Sequence, residues 1–283
     1  MTSYDLEVAH PVSGKREHVA SSRPVLSAAP RSELTETLRA GEIALHRAFA
    51  RNGGTPRTVA PRGRPLTRTG EPADELYRVC IGWLCRTRQL EDGRRQILEV
   101  YLPGDIVGAD ALLWSSYHDS LEPLTRVIVS TLSVFEAREI MARCPAAALW
   151  LMLHVADEGR RIGSLATSLG RVNAETRLCW FLLRLAGRLR RLDLVRGQRF
   201  RLPMTQQDLG DHLGLTPVHV NRVLARLRAV GAVSVDRQTV TIRDVTQLNT
   251  LAAPMLANDH AAAQDAIDGR LDGAGCGLVR RPP

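Results

Sequence analysis

Lysine is almost absent from this chain of 283 residues: of its 38 basic residues only Lys15 is a lysine, and all the others are arginines. Aromatic residues make up 4%. The five cysteines, at 80, 85, 144, 179 and 276, have no metal-ligand spacing, which excludes a zinc-finger type of site, and no metal is expected. Cys80 and Cys85 flank an expected turn at Ile81-Gly82; they either face each other across it or are small core residues, and a reducing compartment favours the core. No apolar run reaches the roughly 18–20 residues that a membrane span needs. The N-terminus, with Asp5 and Glu7, has no apolar signal-peptide core, so a cytoplasmic protein without a membrane partner is expected. There is also no nucleophile–base constellation, phosphate-binding loop or metal motif, so the chain does not read as an enzyme and no cofactor is expected.

What is present in excess is positive charge. The formal net charge is +8 and the pI is near 9.9. Between Asn173 and Val230 stand eleven arginines against four acids, Glu175, Asp193, Asp208 and Asp211. A biased genome would explain arginine in place of lysine but not this clustering. A planar guanidinium fork suits phosphate and guanine, so a local excess of it marks a polyanion partner.

Residues 204–243 carry the most specific pattern. Thr205 and Asp208 have the spacing of a capping box, and Leu209 and Leu213 share one face of the short helix that follows. Gly214 permits a tight turn. Thr216 is suited to N-cap a second helix with Pro217 at its first position. Val220, Val223, Leu224 and Leu227 then form an inward stripe, while Val218, His219, Asn221, Arg222 and Arg226 point outward. Gly231 stops this helix, and Val233–Val235 and Thr239–Arg243 alternate as strands around Asp236-Arg237-Gln238. Two helices, a tight turn and a hairpin make a winged helix-turn-helix, whose second helix (217–229) enters a DNA major groove. Arg222 suits a guanine, and Asn221 or His219 a base or phosphate.

Upstream, residues 1–31 read as a flexible lead-in. Residues 32–145 open with a helical stretch (Leu34, Leu38, Ile43, Leu45) and continue as short strands broken by Gly and Pro, with a hairpin signal at Asp92-Gly93. Close, regular spacing of short strands points to an antiparallel roll. Residues 146–172 form one long helix with two adjacent seams. Val155, Ile162, Leu165, Leu169 and Val172 make one; Ala156, Gly159, Gly163, Ala166 and Gly170 make the other. Such 3-4 repeats favour pairing with a second helix, hence a homodimer. Asn173 is suited to cap the next helix, and residues 173–248 form the DNA-binding unit. Residues 249–283 read as a flexible tail. The expected class is α+β: an N-terminal antiparallel β-roll (jelly roll), a long dimerisation helix and a C-terminal winged helix-turn-helix.

This arrangement resembles the Crp/Fnr superfamily of bacterial transcription regulators over residues 40–248. The resemblance is carried by Gly70-Glu71-Pro72-Ala73-Asp74-Glu75-Leu76-Tyr77, by Leu102-Pro103-Gly104-Asp105-Ile106-Val107-Gly108 and by the 204–243 segment. It implies a homodimer that binds a pseudo-palindromic double-stranded DNA site and contacts RNA polymerase. By the same alignment Thr205, Gln206, Thr216, Pro217, Val218, His219, Asn221, Arg222 and Arg226 are the DNA-binding set. Family members that read a TGA-type half-site pair a glutamate with an arginine; Arg222 fits the arginine, but Val218 stands in the glutamate's place, so the half-site is expected to differ.

The effector pocket implied by the resemblance falls at Gly108, Ala109, Asp110, Arg126 and Ile162. Ala109 occupies the place of a ribose-binding glutamate, and Asp110 is one residue displaced. Where the phosphate-gripping arginine belongs, Asp119-Ser120-Leu121-Glu122 has none until Arg126, and its acids would repel a cyclic phosphate. The adenine-contacting hydroxyl pair falls at Ile162 and Gly163. Dependence on cyclic AMP is therefore not expected; the alternative is a β-roll that binds a cyclic nucleotide or another small effector. Iron–sulfur members carry an N-terminal cysteine cluster, whereas here no cysteine precedes Cys80. For haem, only the lone histidines His118 and His154 offer an axial ligand.

Overall fold

The computed structural model describes residues 31–51, 56–60 and 63–267; Cys276, nearly all of the expected lead-in and residues 268–283 of the expected tail lie outside them. Helix α1 (Arg31–Arg51) is followed by strands β1 (Arg57–Val59), β2 (Glu75–Ile81), β3 (Leu84–Gln89), β4 (Arg95–Tyr101) and β5 (Ile106–Val107). A 3-10 turn (Ala109–Leu112), β6 (Ser120–Pro123), β7 (Val127–Ser133) and α2 (Val134–Arg143) come next. Then follow the long α3 (Pro145–Arg171), α4 (Ala174–Arg190), β8 (Arg199–Arg201), α5 (Gln206–Leu213) and α6 (Pro217–Ala229). Strands β9 (Val233–Asp236) and β10 (Thr239–Ile242) and helix α7 (Val245–Ile267) complete the order.

The roll consists of two antiparallel sheets, β1-β7-β2-β5 and β4-β3-β6. Strand alternation sorts its side chains. On β2, Tyr77 and Val79 join the interior core with Val127 and Val129 of β7, while Leu76 joins Leu132, Leu45 and Trp150 in the layer under α1 and α3. Gly82 lies where the chain passes from one sheet to the other. Its φ is +90°, and a Cβ there would stand 2.2 Å from the Arg126 carbonyl oxygen, so only glycine fits. The turn at Ile81-Gly82 therefore joins two sheets, and the cysteines flanking it serve different ones. The Cys80 sulfur lies 3.0 Å from the Ser130 hydroxyl. Cys85 is buried, its thiol donates to the Glu122 carbonyl at 3.4 Å, and burial pushes its pKa up.

The two seams expected on α3 have different fates. Leu165 is buried, Leu169 lies against Gly214 and Val172 packs on the core of the C-terminal unit. Most of the first seam is thus consumed within the chain, although Val155 stays exposed. The small-residue seam (Ala156, Gly159, Gly163, Ala166, Gly170) is exposed along its whole length. Among the described residues, nothing outside the helix's own turns lies within 4 Å of a Cβ built at Gly159, Gly163 or Gly170.

One expectation is overturned. Residues 249–256, read as part of a flexible tail, belong to α7, which packs on α4. Leu248, Ala252 and Met255 are buried in the core of the DNA-binding unit. They follow an i, i+4, i+7 stripe that the alanine-rich composition disguised, because alanine is both a small residue and the best helix former. Strand β8, which adds a third strand to the wing sheet beside β10, was also not foreseen.

Candidate nucleic-acid interface

Each turn of the helix-turn-helix has a local cause. Thr205 N-caps α5 with a reciprocal capping box: the Asp208 amide donates to the Thr205 hydroxyl, and the Thr205 amide donates to the Asp208 carboxylate. Gly214 ends α5 with φ +63°. Gly210, not singled out from the sequence, makes the close turn possible, since a Cβ there would lie 2.4 Å from the Leu215 carbonyl oxygen. Thr216 caps α6 by accepting from the His219 amide, with Pro217 at the helix start. Val220, Val223 and Leu227 are buried, which fixes the roll angle of α6. Val218, His219, Asn221, Arg222 and Arg226 are consequently exposed, Val218 by 60%.

Not all of these groups are equally available. Asn221 Nδ2 donates to Gln206 Oε1 at 2.6 Å, joining the two helices into one polar surface. Arg226 sits 3.6 Å from the Glu175 carboxylate at the start of α4. The Thr205 hydroxyl donates to Asp208, whereas the Thr216 hydroxyl accepts from the His219 amide and has no acceptor of its own among the described residues. No partner of Arg222 is found among the described residues. At the wing tip Arg237 and Gln238 both have positive φ, 42° and 65°, the backbone of a two-residue hairpin turn.

The expected effector residues do not form one site. Gly108 sits against Glu75, Tyr77 and Tyr117, at one end of β2. Arg126 is exposed beside Gly82 at the other end, about 20 Å away along an extended strand. Asp110 does lie near a guanidinium, that of Arg86, whose charged form it helps to hold. The acids expected to repel an anion are neutralised. Asp119 pairs with Arg88 at 2.8 Å and with Arg86 at 4.0 Å, and Arg86 also pairs with Glu158 of α3 at 3.3 Å. Tyr101 donates to the same Glu158, whose carboxyl is pushed up by burial. Sequence reasoning missed Arg86 because it lies on a strand before the motif, and only strand pairing brings it there.

The sequence also gave no sign of how the DNA-binding unit docks on the roll. Arg95 of β4 donates to Asp208 at 2.6 Å and Asp211 at 2.8 Å, both on α5, and to Glu122 at 2.7 Å. His212 is fully buried, its Nδ1 is 3.0 Å from the Ile97 carbonyl oxygen, and burial lowers its pKa to about 4, so the ring is neutral. Arg177 ties the junction of α3 and α4, donating to the carbonyls of Val172, Leu169 and Leu213; a cation at two helix C-termini suits both. Replacing Arg95 by alanine leaves Asp208 and Asp211 without their partner across the interface. Hydrogen exchange is expected to rise in α5 and β4 while the roll interior stays protected; unchanged α5 exchange would show that apolar contacts alone hold the joint.

A capped helix-turn-helix with a three-stranded wing, joined by a long helix to a β-roll, defines a DNA-binding transcription regulator. Residues 176–251 match the family described as Crp-like helix-turn-helix domain, and residues 57–144 match the cyclic nucleotide-binding domain. The chain is 31% identical over 198 residues to the nitrogen fixation regulation protein FixK of Rhizobium meliloti, covering 69% of this chain and 84% of that protein. It is 29% identical over 207 residues to the transcriptional activator protein anr of Pseudomonas aeruginosa, covering 70% of this chain and 83% of that one. The structure of FixK2 from Bradyrhizobium japonicum superposes with a TM-score of 0.64 at 28% identity, over 70% of this chain and 96% of that one. The protein belongs to the Crp/Fnr family of transcription regulators, which are not enzymes. Among the described residues, no helix is long and apolar enough to cross a membrane.

Proposed function

We propose that the protein acts as a cytoplasmic homodimer that reads a pseudo-palindromic promoter site, one α6 in the major groove of each half-site, and contacts RNA polymerase there. The observation that carries this reading is the first two turns of α6. Val218, His219, Asn221 and Arg222 are exposed there, and Arg222 has no partner among the described residues, so its fork is available for a guanine. Thr216 and Pro217 at the helix start, Gln206 through its bond to Asn221, and Arg226 at the far end extend the same surface toward phosphates. Thr205 supports this surface mainly as a cap, because its proton is committed to Asp208. Val218 offers a methyl-bearing face to thymine and nothing to a cytosine amine, so the preferred half-site departs from TGA at that position.

Selection of bound duplexes from a random pool by the full-length protein tests the reading; failure to enrich any paired motif would sink it. Arg222→Ala is expected to weaken binding to the selected site by about 1–3 kcal/mol and to relax preference at one base pair. A uniform loss over all sequences would make Arg222 a phosphate contact instead.

Activity without cyclic AMP is part of the same proposal. The roll interior presents Arg86 already paired to carboxylates, and Arg126 lies away from Asp110. Calorimetric titration with cyclic AMP is expected to give no binding heat, and a micromolar affinity would reverse this. A second reading, a different small effector inside the roll, is favoured by one observation: Asp110 Oδ1 and Arg86 Nε are buried with no hydrogen-bond partner among the described residues.

A further inference from the structure

Gln206 and Asn221, 15 positions apart, bond to each other across the helix-turn-helix, and neither has a polar side chain one turn away on its own helix. Four residues after Gln206 stands Gly210, which has no side chain. The neighbouring Gln207 takes the ordinary i, i+4 route and donates to Asp211 at 2.6 Å. On α6, Asn221 has Pro217 and Val218 one turn before it and Leu224 and Ala225 one turn after. The two amides therefore meet across the turn, Asn221 Nδ2 donating to Gln206 Oε1 at 2.6 Å. Both residues are exposed. An exposed amide pair adds little to stability, because water would serve either group nearly as well. What it does fix is the direction in which each amide faces.

The bond also divides the hydrogen-bonding capacity of the pair. Asn221 spends one of its two amide N–H groups, which leaves Oδ1 as an acceptor and one N–H as a donor. Gln206 accepts through Oε1 and keeps its NH2 group as a donor. Among the described residues neither of these remaining groups has a partner. Asn221 lies three residues after Val218 and immediately before Arg222, so the three share one exposed face of α6. Adenine is the one base whose major-groove edge takes both free groups of Asn221, N6 donating to Oδ1 and N7 accepting from Nδ2. Guanine sets a second acceptor, O6, against Oδ1; cytosine offers a donor alone, and thymine an acceptor beside a methyl group.

We propose that Asn221 is a specificity-determining residue that reads an adenine in each half-site, and that Gln206 of the preceding helix is its positioning residue. Gln206 holds the Asn221 amide edge toward the base, while its own NH2 group donates to a phosphate oxygen. These roles rest on the DNA-binding reading above. They add a second base to the guanine of Arg222, and they put one determinant of sequence preference on α5, outside the recognition helix. An amide already fixed before binding loses less rotamer freedom in the groove than a free asparagine, so more of its bonding to adenine appears as affinity.

The test uses the duplex selected from a random pool by the full-length natural protein. Its half-site is expected to contain an adenine whose replacement by any other base weakens binding by about fivefold to a hundredfold. Asn221→Ala is expected to abolish preference at that position and to leave the preference for the Arg222 guanine in place. Gln206→Ala removes no base contact, yet is expected to relax preference at the same adenine. Gln206→Glu keeps the acceptor and loses the donor, so it is expected to retain the adenine preference while binding every duplex more weakly. Placing 7-deazaadenine, which lacks the N7 acceptor, at that position is expected to cost the natural protein about twofold to tenfold and Asn221→Ala nothing. Each variant is expected to melt like the natural protein, since both side chains are exposed. If the natural protein selects no paired motif, the DNA-binding reading falls and these roles with it. A selected motif whose base preferences all survive Asn221→Ala, or an affected base other than adenine, overturns the role of Asn221 alone. Adenine preference unchanged in Gln206→Ala overturns the role of Gln206.

Discussion

Replacing Glu99 by alanine is expected to destabilise the protein by about 3–5 kcal/mol, the loss seen when one member of a buried ion cluster is removed. Glu99 lies on β4, is fully buried, and is surrounded by Arg161 at 3.0 Å, Arg188 at 3.0 Å and Arg184 at 3.6 Å. Arg161 belongs to α3, and Arg184 and Arg188 to α4, so one carboxylate ties the roll, the long helix and the DNA-binding unit together. The arginines have other partners: Asp157 for Arg161, Asp105 for Arg188, and the face of Trp180 for Arg184. These moderate the loss without replacing a charge at the centre.

Burial alone would raise the Glu99 pKa; the three guanidinium groups outweigh it and hold the value down to about 2. A folded-state pKa below the unfolded one gives stability that is complete above the unfolded value near 4.5 and fades as pH falls toward 2. Urea denaturation of wild type and Glu99→Ala at neutral pH and near pH 3 checks both points. The gap between the two proteins should narrow in acid. A neutral-pH difference under about 1 kcal/mol would show that the cluster contributes specificity rather than stability.

The second large effect belongs to the exposed stripe on α3. Gly163→Leu is expected to turn the proposed homodimer into a monomer and to lower affinity for a two-half-site duplex by about a hundredfold to ten-thousandfold, since the second half-site is then no longer bound intramolecularly. The same change should raise the thermal stability of the isolated chain. Gly163 has open space around its Cβ position, and a helix-interior glycine costs up to about 1 kcal/mol against a good helix former. Light scattering and melting together identify the effect, because a merely damaged fold loses stability. A dimer that persists in Gly163→Leu would place the interface elsewhere, for instance on Met152 and Leu153, which are 65% and 46% exposed.

Several features were legible in the chain because their causes are local. Thr205 with Asp208, Gly214, Thr216 with Pro217, and the Val220–Leu227 stripe define caps, turn and face within a few residues. Each appears as expected, and the short strands expected within residues 32–145 appear as the two antiparallel sheets, with β3 and β4 paired across Asp92-Gly93. The effector residues placed by family alignment fared differently: Gly108 and Asp110 share one turn near the start of β2, while Arg126 lies beside Gly82 just past its end. The tail reading failed at Ala252 and Met255, where alanine-rich helix and alanine-rich linker have the same composition.

What the sequence determined by itself is the reading head: two capped helices, a wing and an arginine-rich surface, since capping, turn geometry and amphipathic spacing act over one or two turns. What only the tertiary structure decided is what the head is fastened to. The Arg95 contacts to α5 and the Glu99 cluster unite residues roughly 60 to 115 positions apart, and no local propensity encodes such pairings. They arise when burial forces each charged group to find the partner that folding has brought within reach.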